Sequence, residues 1–285
     1  MAVIMKGAEA AARMKESLAK ELAVLRQMGI EPGLDIVRVG ARPDDLAYEQ
    51  GALRRFDGLG IAARVFAFPE DISQEDFTAE FRKINDSGSV RGILLFRPLP
   101  KHLDGDSIGD MIRPAKDIDC MSPFNAAKVF LEGGKGGFAP CTPAAVMEIL
   151  AHYGVDLAGK NVVVVGRSPV VGRPLAMLML ARNATVTVCH TKTQNLEEIC
   201  KNADIVVAAA GRPKTITPAC VSPKSIVVDV GINADENGKL CGDADYGAIL
   251  PIVSMISPVP GGVGAVTTSI LAAHVLRAAN KLAEA

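Results

Sequence analysis

The chain has 285 residues, 31 Lys plus Arg against 32 Asp plus Glu, and 49% hydrophobic residues. That length suits two compact domains, and a net charge of −1 with no lysine-arginine cluster leaves no basic field for a nucleic-acid backbone. No apolar run approaches the roughly 18 residues of a bilayer crossing, and the apolar start before Lys6 is too short for a secretion signal, so no membrane partner and a cytoplasmic location are expected.

Lys6 to Gly29 carries apolar residues at helical spacing (Met14, Leu18, Leu22, Leu25) and stops at a glycine, while Leu34 to Val39 is a short β-branched run. These predict a helix, then a strand. The alternation continues with a helix from about Asp44 to Gly58, a strand over Ile61–Phe68, a helix over Ser73–Asn85 and a strand over Gly92–Phe96. Such an order predicts a parallel sheet with helical crossovers. From Arg97 to Thr142 the pattern loosens into proline- and glycine-rich segments, read as site-lining loops leading to a domain junction. A second alternation follows: helix Pro143–Tyr153, strand Asn161–Val165, helix Val171–Asn183, strand Thr185–Cys189, helix Leu196–Lys201, and strands Asp204–Ala208 and Ser225–Asp229. It has the length and order of a dinucleotide-binding domain. A glycine-rich turn, Ser257 to Gly264, precedes a last helix from about Val266 to Ala283.

The cysteines (Cys120, Cys141, Cys189, Cys200, Cys220, Cys241) form no C-x-x-C pair and the histidines no H-E-x-x-H, so neither a disulfide framework nor a metal site is expected. The informative stretch is VVVVGRSPVVGRP, Val162 to Pro174: a buried strand, a turn at Gly166, Arg167 and Ser168, and a helix start at Gly172. Backbone amides there would face a pyrophosphate, and the helix dipole favours its charge. The G-x5-G spacing is neither the usual dinucleotide fingerprint nor a P-loop, so by itself it also fits any strand-turn-helix of an α/β protein. The end of the next strand, TVTVCHTKT, lacks the acid that would bind an NAD ribose. His190, Thr191, Lys192 and Thr193 stand there instead, and Arg167 offers a guanidinium suited to phosphate. That set favours NADP; the alternative is that Lys192 and Arg167 are solvated surface charges. His190 is either a cofactor neighbour or a loop-packing residue.

The ordered set VGRSPVVGRP, ATVTVCHTKT, NADIVVAAAGRP, VVDVGIN with GDADY, SPVPGGVGAVT, PCTP and KDID resembles the bifunctional methylenetetrahydrofolate dehydrogenase/cyclohydrolases of one-carbon metabolism over nearly the whole chain. The resemblance implies a two-domain α/β protein: a folate-binding catalytic domain of residues 1–139 plus 265–285, a Rossmann-like NADP-binding domain of residues 140–264, and an active site in the cleft between them. It also implies a homodimer joined through the Rossmann-like domains. Tyr48 then takes the place of the tyrosine that stacks on the folate, and Asp119 that of the aspartate that hydrogen-bonds the pterin. Gly166, Arg167, Ser168, Gly172, His190, Thr191, Gly211 and Ile232 take the cofactor positions, and Pro260, Gly261, Gly262 and Gly264 the substrate-loop positions.

Two places depart from the pattern. Ala52 stands where the family has the cyclohydrolase lysine, and Phe96, in GILLFRPLP against a GILVQLPLP-like segment, stands where it has the supporting glutamine. Cys120, Met121, Ala145, Ala265 and Val266 are further changes on the folate side. Positioning a methylene carbon for hydride loss needs little acid-base work, whereas hydrolysing the methenyl cation needs a proton moved, a contribution of about 10²- to 10⁴-fold. Arg54 and Arg55 are permanently charged and leave the helix in other directions, so neither is a credible base. The sequence therefore reads as an NADP-dependent dehydrogenase without cyclohydrolase activity. Rival readings are a bifunctional enzyme with another base, a non-catalytic folate- or NADP-binding relative, and an NADP-dependent dehydrogenase of small hydroxy acids, for which no Lys-Asp pair can be placed in the first domain.

Overall fold

The computed structural model describes residues 2–88 and 91–283. The chain divides into two compact units, one of residues 14–128, 134–139 and 268–285, the other of residues 1–13, 129–133 and 140–267. Residues 1–13, assigned from the sequence to the first domain, cluster with the second because β1 (Val3–Ile4) adds a parallel strand to its sheet.

Helix α1 (Gly7–Gln27), which belongs to the first unit from residue 14 on, leads into β2 (Gly33–Val39). Helix α2 (Pro43–Asp57) starts with a proline and two aspartates in its first turn and ends on Arg54 and Arg55, the charge order a helix dipole favours. It is followed by β3 (Ala62–Phe68), α3 (Gln74–Asp86) and β4 (Arg91–Leu95). Ser73 caps α3 by accepting from the amide of Asp76 at 3.0 Å. The three strands pair in the parallel order β3-β2-β4, and Val37, Ile93 and Leu95 pack with Phe77 and Phe81 in one core. At the sheet's N-terminal end the buried carboxylate of Asp35 takes both Arg64 and Arg91. The segment read as loops from Arg97 to Thr142 contains two helices, α4 (Gly105–Met111) and α5 (Pro123–Glu132). Asp104 caps α4 by accepting from the amides of Asp106 and Ser107, so a short capped turn replaces apolar periodicity there.

In the second unit, α6 (Cys141–His152) leads into β5 (Asn161–Val165), α7 (Gly172–Leu180), β6 (Thr185–Cys189), α8 (Leu196–Lys201), β7 (Ile205–Ala208) and β8 (Ile226–Asp229). A small antiparallel pair, β9 (Asn233–Ala234) and β10 (Leu240–Cys241), precedes α9 (Tyr246–Ile249) and β11 (Met255–Ile256); the last helix, α10 (Gly264–Ala283), begins in this unit and from residue 268 belongs to the first. The six strands run parallel in the order β1-β11-β8-β7-β5-β6, a Rossmann-like sheet extended at one edge by the chain's first strand. The run of four valines in β5, one strand in from the β6 edge, is buried, as a strand covered on both faces requires.

Candidate functional site

The turn after β5 is built from close backbone approach. Gly166 has φ +135°, and a Cβ there would overlap the carbonyl of Ala209 after β7; a Cβ on Gly172 would overlap the carbonyl of Gly166. Both positions therefore need glycine, the first for its backbone and the second for space. Ser168 accepts from the amide of Val171 at 3.0 Å, closing the turn ahead of α7. A pocket of about 410 Å³ opens here, lined by Gly166, Arg167, Ser168, His190, Thr191, Ala210, Arg212 and Thr215 among others.

The turn after β6 forms the second wall. The amide of His190 donates to Thr193 Oγ1 at 2.8 Å, and His190 Nδ1 accepts from the amide of Lys192 at 3.1 Å, so that ring nitrogen carries no proton. The loop after β7 forms the third wall and hangs from Asp243. This carboxylate is fully buried and accepts from the amides of Ala210, Gly211 and Arg212 at 2.5–2.9 Å and from Asn233 Nδ2 at 2.8 Å. Asp229 accepts in turn from the amides of Gly231, Asp243 and Ala244. Burial raises the pKa of Asp229 and these amides oppose the rise.

Of the sequence-derived cofactor residues, Gly166, Arg167, Ser168, His190 and Thr191 line one pocket. Gly172 lies outside the lining, packed against the Gly166 carbonyl, Gly211 stands at positive φ with its amide on Asp243, and Ile232 is 73% exposed outside the lining. Arg212, Thr215 and Asp243 were not singled out from the sequence. Asp243 lies within the quoted GDADY, and its signal is an acid in a segment that ends fully buried. Pro260, Gly261, Gly262 and Gly264 form the turn before α10, where Gly7 donates its amide to the Gly261 carbonyl at 2.8 Å and packs on Gly262.

In the other unit, Tyr48 on α2 meets Phe96 edge to face with ring centroids 5.9 Å apart. Glu49, beside it, pairs with Arg38 of β2 at 2.8 Å and so fixes the helix on the sheet. Ala52 lies one turn further along, fully buried, and Phe96 is 7% exposed. Asp119 is presented by a tightly held loop. The buried Asp117 accepts from the amides of Met121 and Ser122, Ser122 Oγ and Asn125 Nδ2, all at 2.7–2.8 Å. His274 of α10 bonds the Ile118 carbonyl through Nδ1 at 2.8 Å, which requires that nitrogen to carry the proton. Cys120 takes a left-handed backbone, φ +60°, and burial, then the neighbouring Asp117 and Asp119, push its thiol up to about 12, so it is no nucleophile at neutral pH. Ala145 and Val266 are buried, while Ala265 and Met121 are partly exposed. Arg55 reaches Thr268 and Arg54 faces solvent. Among the described residues no cluster of His, Cys, Asp or Glu could hold a metal ion, and no helix is long and apolar enough to cross a membrane.

A parallel doubly wound sheet with a glycine-built pocket at the carboxyl ends of its strands defines a dinucleotide-binding α/β protein. Residues 5–119 match the catalytic domain and residues 140–283 the NAD(P)-binding domain of the tetrahydrofolate dehydrogenase/cyclohydrolase model. The chain is 54% identical over 275 residues to the bifunctional protein FolD of Clostridioides difficile, covering 96% of each. It superposes on the bifunctional methylenetetrahydrofolate dehydrogenase/cyclohydrolase of Campylobacter jejuni with a TM-score of 0.94, at 37% identity over 99% of each chain. The Trypanosoma brucei enzyme, solved with NADP cofactor and an inhibitor, gives 0.93 at 33% identity, covering 100% of this chain and 99% of that one. The chain belongs to the tetrahydrofolate dehydrogenase/cyclohydrolase family.

Proposed function

We propose that this protein oxidises 5,10-methylenetetrahydrofolate to 5,10-methenyltetrahydrofolate with NADP and does not hydrolyse the product. The observation that carries the second half is the pair Ala52 and Phe96: a methyl group and a phenyl ring, both buried, stand where the family pattern has a lysine and a glutamine. Neither can take or give a proton.

NADP, when bound, supplies the hydride acceptor. The pocket fits such a group: glycines at Gly166 and Gly172 let the backbone turn tightly beside it, Arg167 and Arg212 offer cations, Ser168, Thr191 and Thr215 offer hydroxyls, and no acid lines it. On this reading Gly211 and Ile232 complete the cofactor positions, and Pro260, Gly261, Gly262 and Gly264 face the substrate. Residues 1–139 with 265–285 bind the folate, with β1 lent to the cofactor-domain sheet, and residues 140–264 bind NADP. Tyr48 offers an aromatic face to the folate, and Asp119 accepts hydrogen bonds from the pterin's N–H groups. Holding the methylene carbon in place is most of what the oxidation asks of these residues. We place the protein in the cytoplasm as a homodimer.

A second reading has a specific support: the 54% identical relative is called bifunctional. One experiment separates the two. Purified protein is given methylenetetrahydrofolate and NADP, and reduced nicotinamide and the methenyl chromophore are followed together. The expected result is a methenyl product that accumulates and decays no faster than in buffer, with enzyme-dependent decay appearing only in the double variant Ala52→Lys, Phe96→Gln. The two changes act as a unit, because a lysine against a phenyl ring lacks the amide that orients it. Enzyme-dependent decay with the unmodified protein establishes the bifunctional reading.

A further inference from the structure

The segment that resembles GILVQLPLP reads GILLFRPLP, so Arg97 brings a guanidinium to a place where the pattern has leucine. The Phe96 amide donates to the Val37 carbonyl at 2.9 Å, which fixes the direction in which the chain leaves β4. The Arg97 carbonyl accepts from Arg42 Nη2 at 3.3 Å. From there Arg97 Nη2 lies 3.8 Å from Asp119 Oδ2, with the two side chains 32% and 23% exposed.

A pair this long and this open to water contributes little to stability, so stability does not account for it. Its partner loop is already held by the hydrogen bonds to Asp117 and by His274 on the Ile118 carbonyl. What Arg97 adds is a permanent charge beside one carboxylate oxygen on the surface that also carries Tyr48 and Phe96.

We propose that Arg97 is a positioning residue for the folate: its guanidinium, 3.8 Å from Asp119 Oδ2, turns that carboxylate for the incoming pterin. The proposal rests on the folate reading above. Its test is steady-state kinetics of methylenetetrahydrofolate oxidation by the full chain, with Arg97→Leu, Arg97→Lys, Asp119→Ala and the double variant Arg97→Leu, Asp119→Ala. Arg97→Leu should raise the folate KM about tenfold and leave kcat and the NADP KM within twofold, and Arg97→Lys should recover most of the loss. In the Asp119→Ala background, Arg97→Leu should change kcat/KM by less than twofold, because the group it acts through is gone. A folate KM within twofold of the unmodified protein in Arg97→Leu, or the same tenfold loss in both backgrounds, overturns the proposal. Should Arg97→Leu fail to fold, judged by its melting midpoint, Arg97→Gln carries the same comparison. An unmodified protein with no folate oxidation defeats the parent reading and this proposal together, whereas an active one indifferent to Arg97 defeats the proposal alone.

Discussion

The cofactor pocket and the surface around Asp119 are both organised by a buried carboxylate that ties down a loop, Asp243 in one and Asp117 in the other. What each loop presents differs. The cofactor side offers backbone, glycines and short hydroxyl side chains around a pocket, and its geometry is set by close main-chain approach at Gly166 and Gly172 and by the Asp243 carboxylate, where few substitutions fit. The Asp119 side offers the side chains Tyr48, Phe96, Arg97 and Asp119. A site whose backbone is closely packed admits few residues at its key positions, whereas one made of side chains can change its chemistry with the fold kept.

The largest expected effect breaks the scaffold of the cofactor side. Asp243→Ala would orphan three consecutive backbone amides at about 1–3 kcal/mol each before relaxation and water entry. A net loss of at least about 3 kcal/mol in urea unfolding is expected, together with a fall of more than tenfold in NADP affinity for the fraction still folded. Unchanged NADP affinity in that fraction would mean that the 210–212 loop does not shape the pocket.

On the Asp119 side the comparable lever is pH. Burial, then the charge of Arg277, lowers the pKa of His274 from 6.5 to about 4, and its protonated Nδ1 holds the Ile118 carbonyl next to Asp119. The folded state therefore keeps His274 neutral while the unfolded chain protonates it below pH 6.5. Its contribution is fully present above that pH, falls as pH drops, and is lost once pH passes about 4. The span corresponds to roughly 3 kcal/mol. Unfolding free energies measured between pH 7 and 4 should flatten in His274→Asn relative to the unmodified protein, and equal slopes would show that His274 is not the group that titrates.

Much of this was legible in the sequence where one period dominates. The bounds of β5, β6 and α8 coincide with the ranges read from the apolar runs, because these elements are short, regular and flanked by turn residues. Strands β1 and β11 are two residues each and exist only as neighbours of other strands, so no local pattern announces them. Helix α5 hides because Phe124, Phe130 and Leu131 are exposed, so its apolar residues trace no buried face. Arg212 and Thr215 enter the pocket through the fold of the loop after β7, and nothing in their spacing says so.

The smallest effect concerns cofactor choice. No acid follows β6 to meet a ribose 2′-hydroxyl, and Arg167 stands in the pocket's first wall with Thr191 in its second. NADP should therefore be preferred over NAD by about tenfold in kcat/KM, about 1.4 kcal/mol. Arg167→Ala should remove most of that preference by weakening NADP while leaving NAD within twofold, since a guanidinium directed at the extra phosphate has nothing to bind in NAD. The pocket holds a second guanidinium, Arg212, on the loop that Asp243 pins. If Arg167→Ala keeps the preference and Arg212→Ala abolishes it, the phosphate is read from the third wall, and selectivity would depend on the same buried carboxylate that shapes the pocket. In that case Asp243→Asn, which keeps one acceptor oxygen, should erode the NADP preference along with affinity, whereas with Arg167 as the reader it should lower affinity for both cofactors alike.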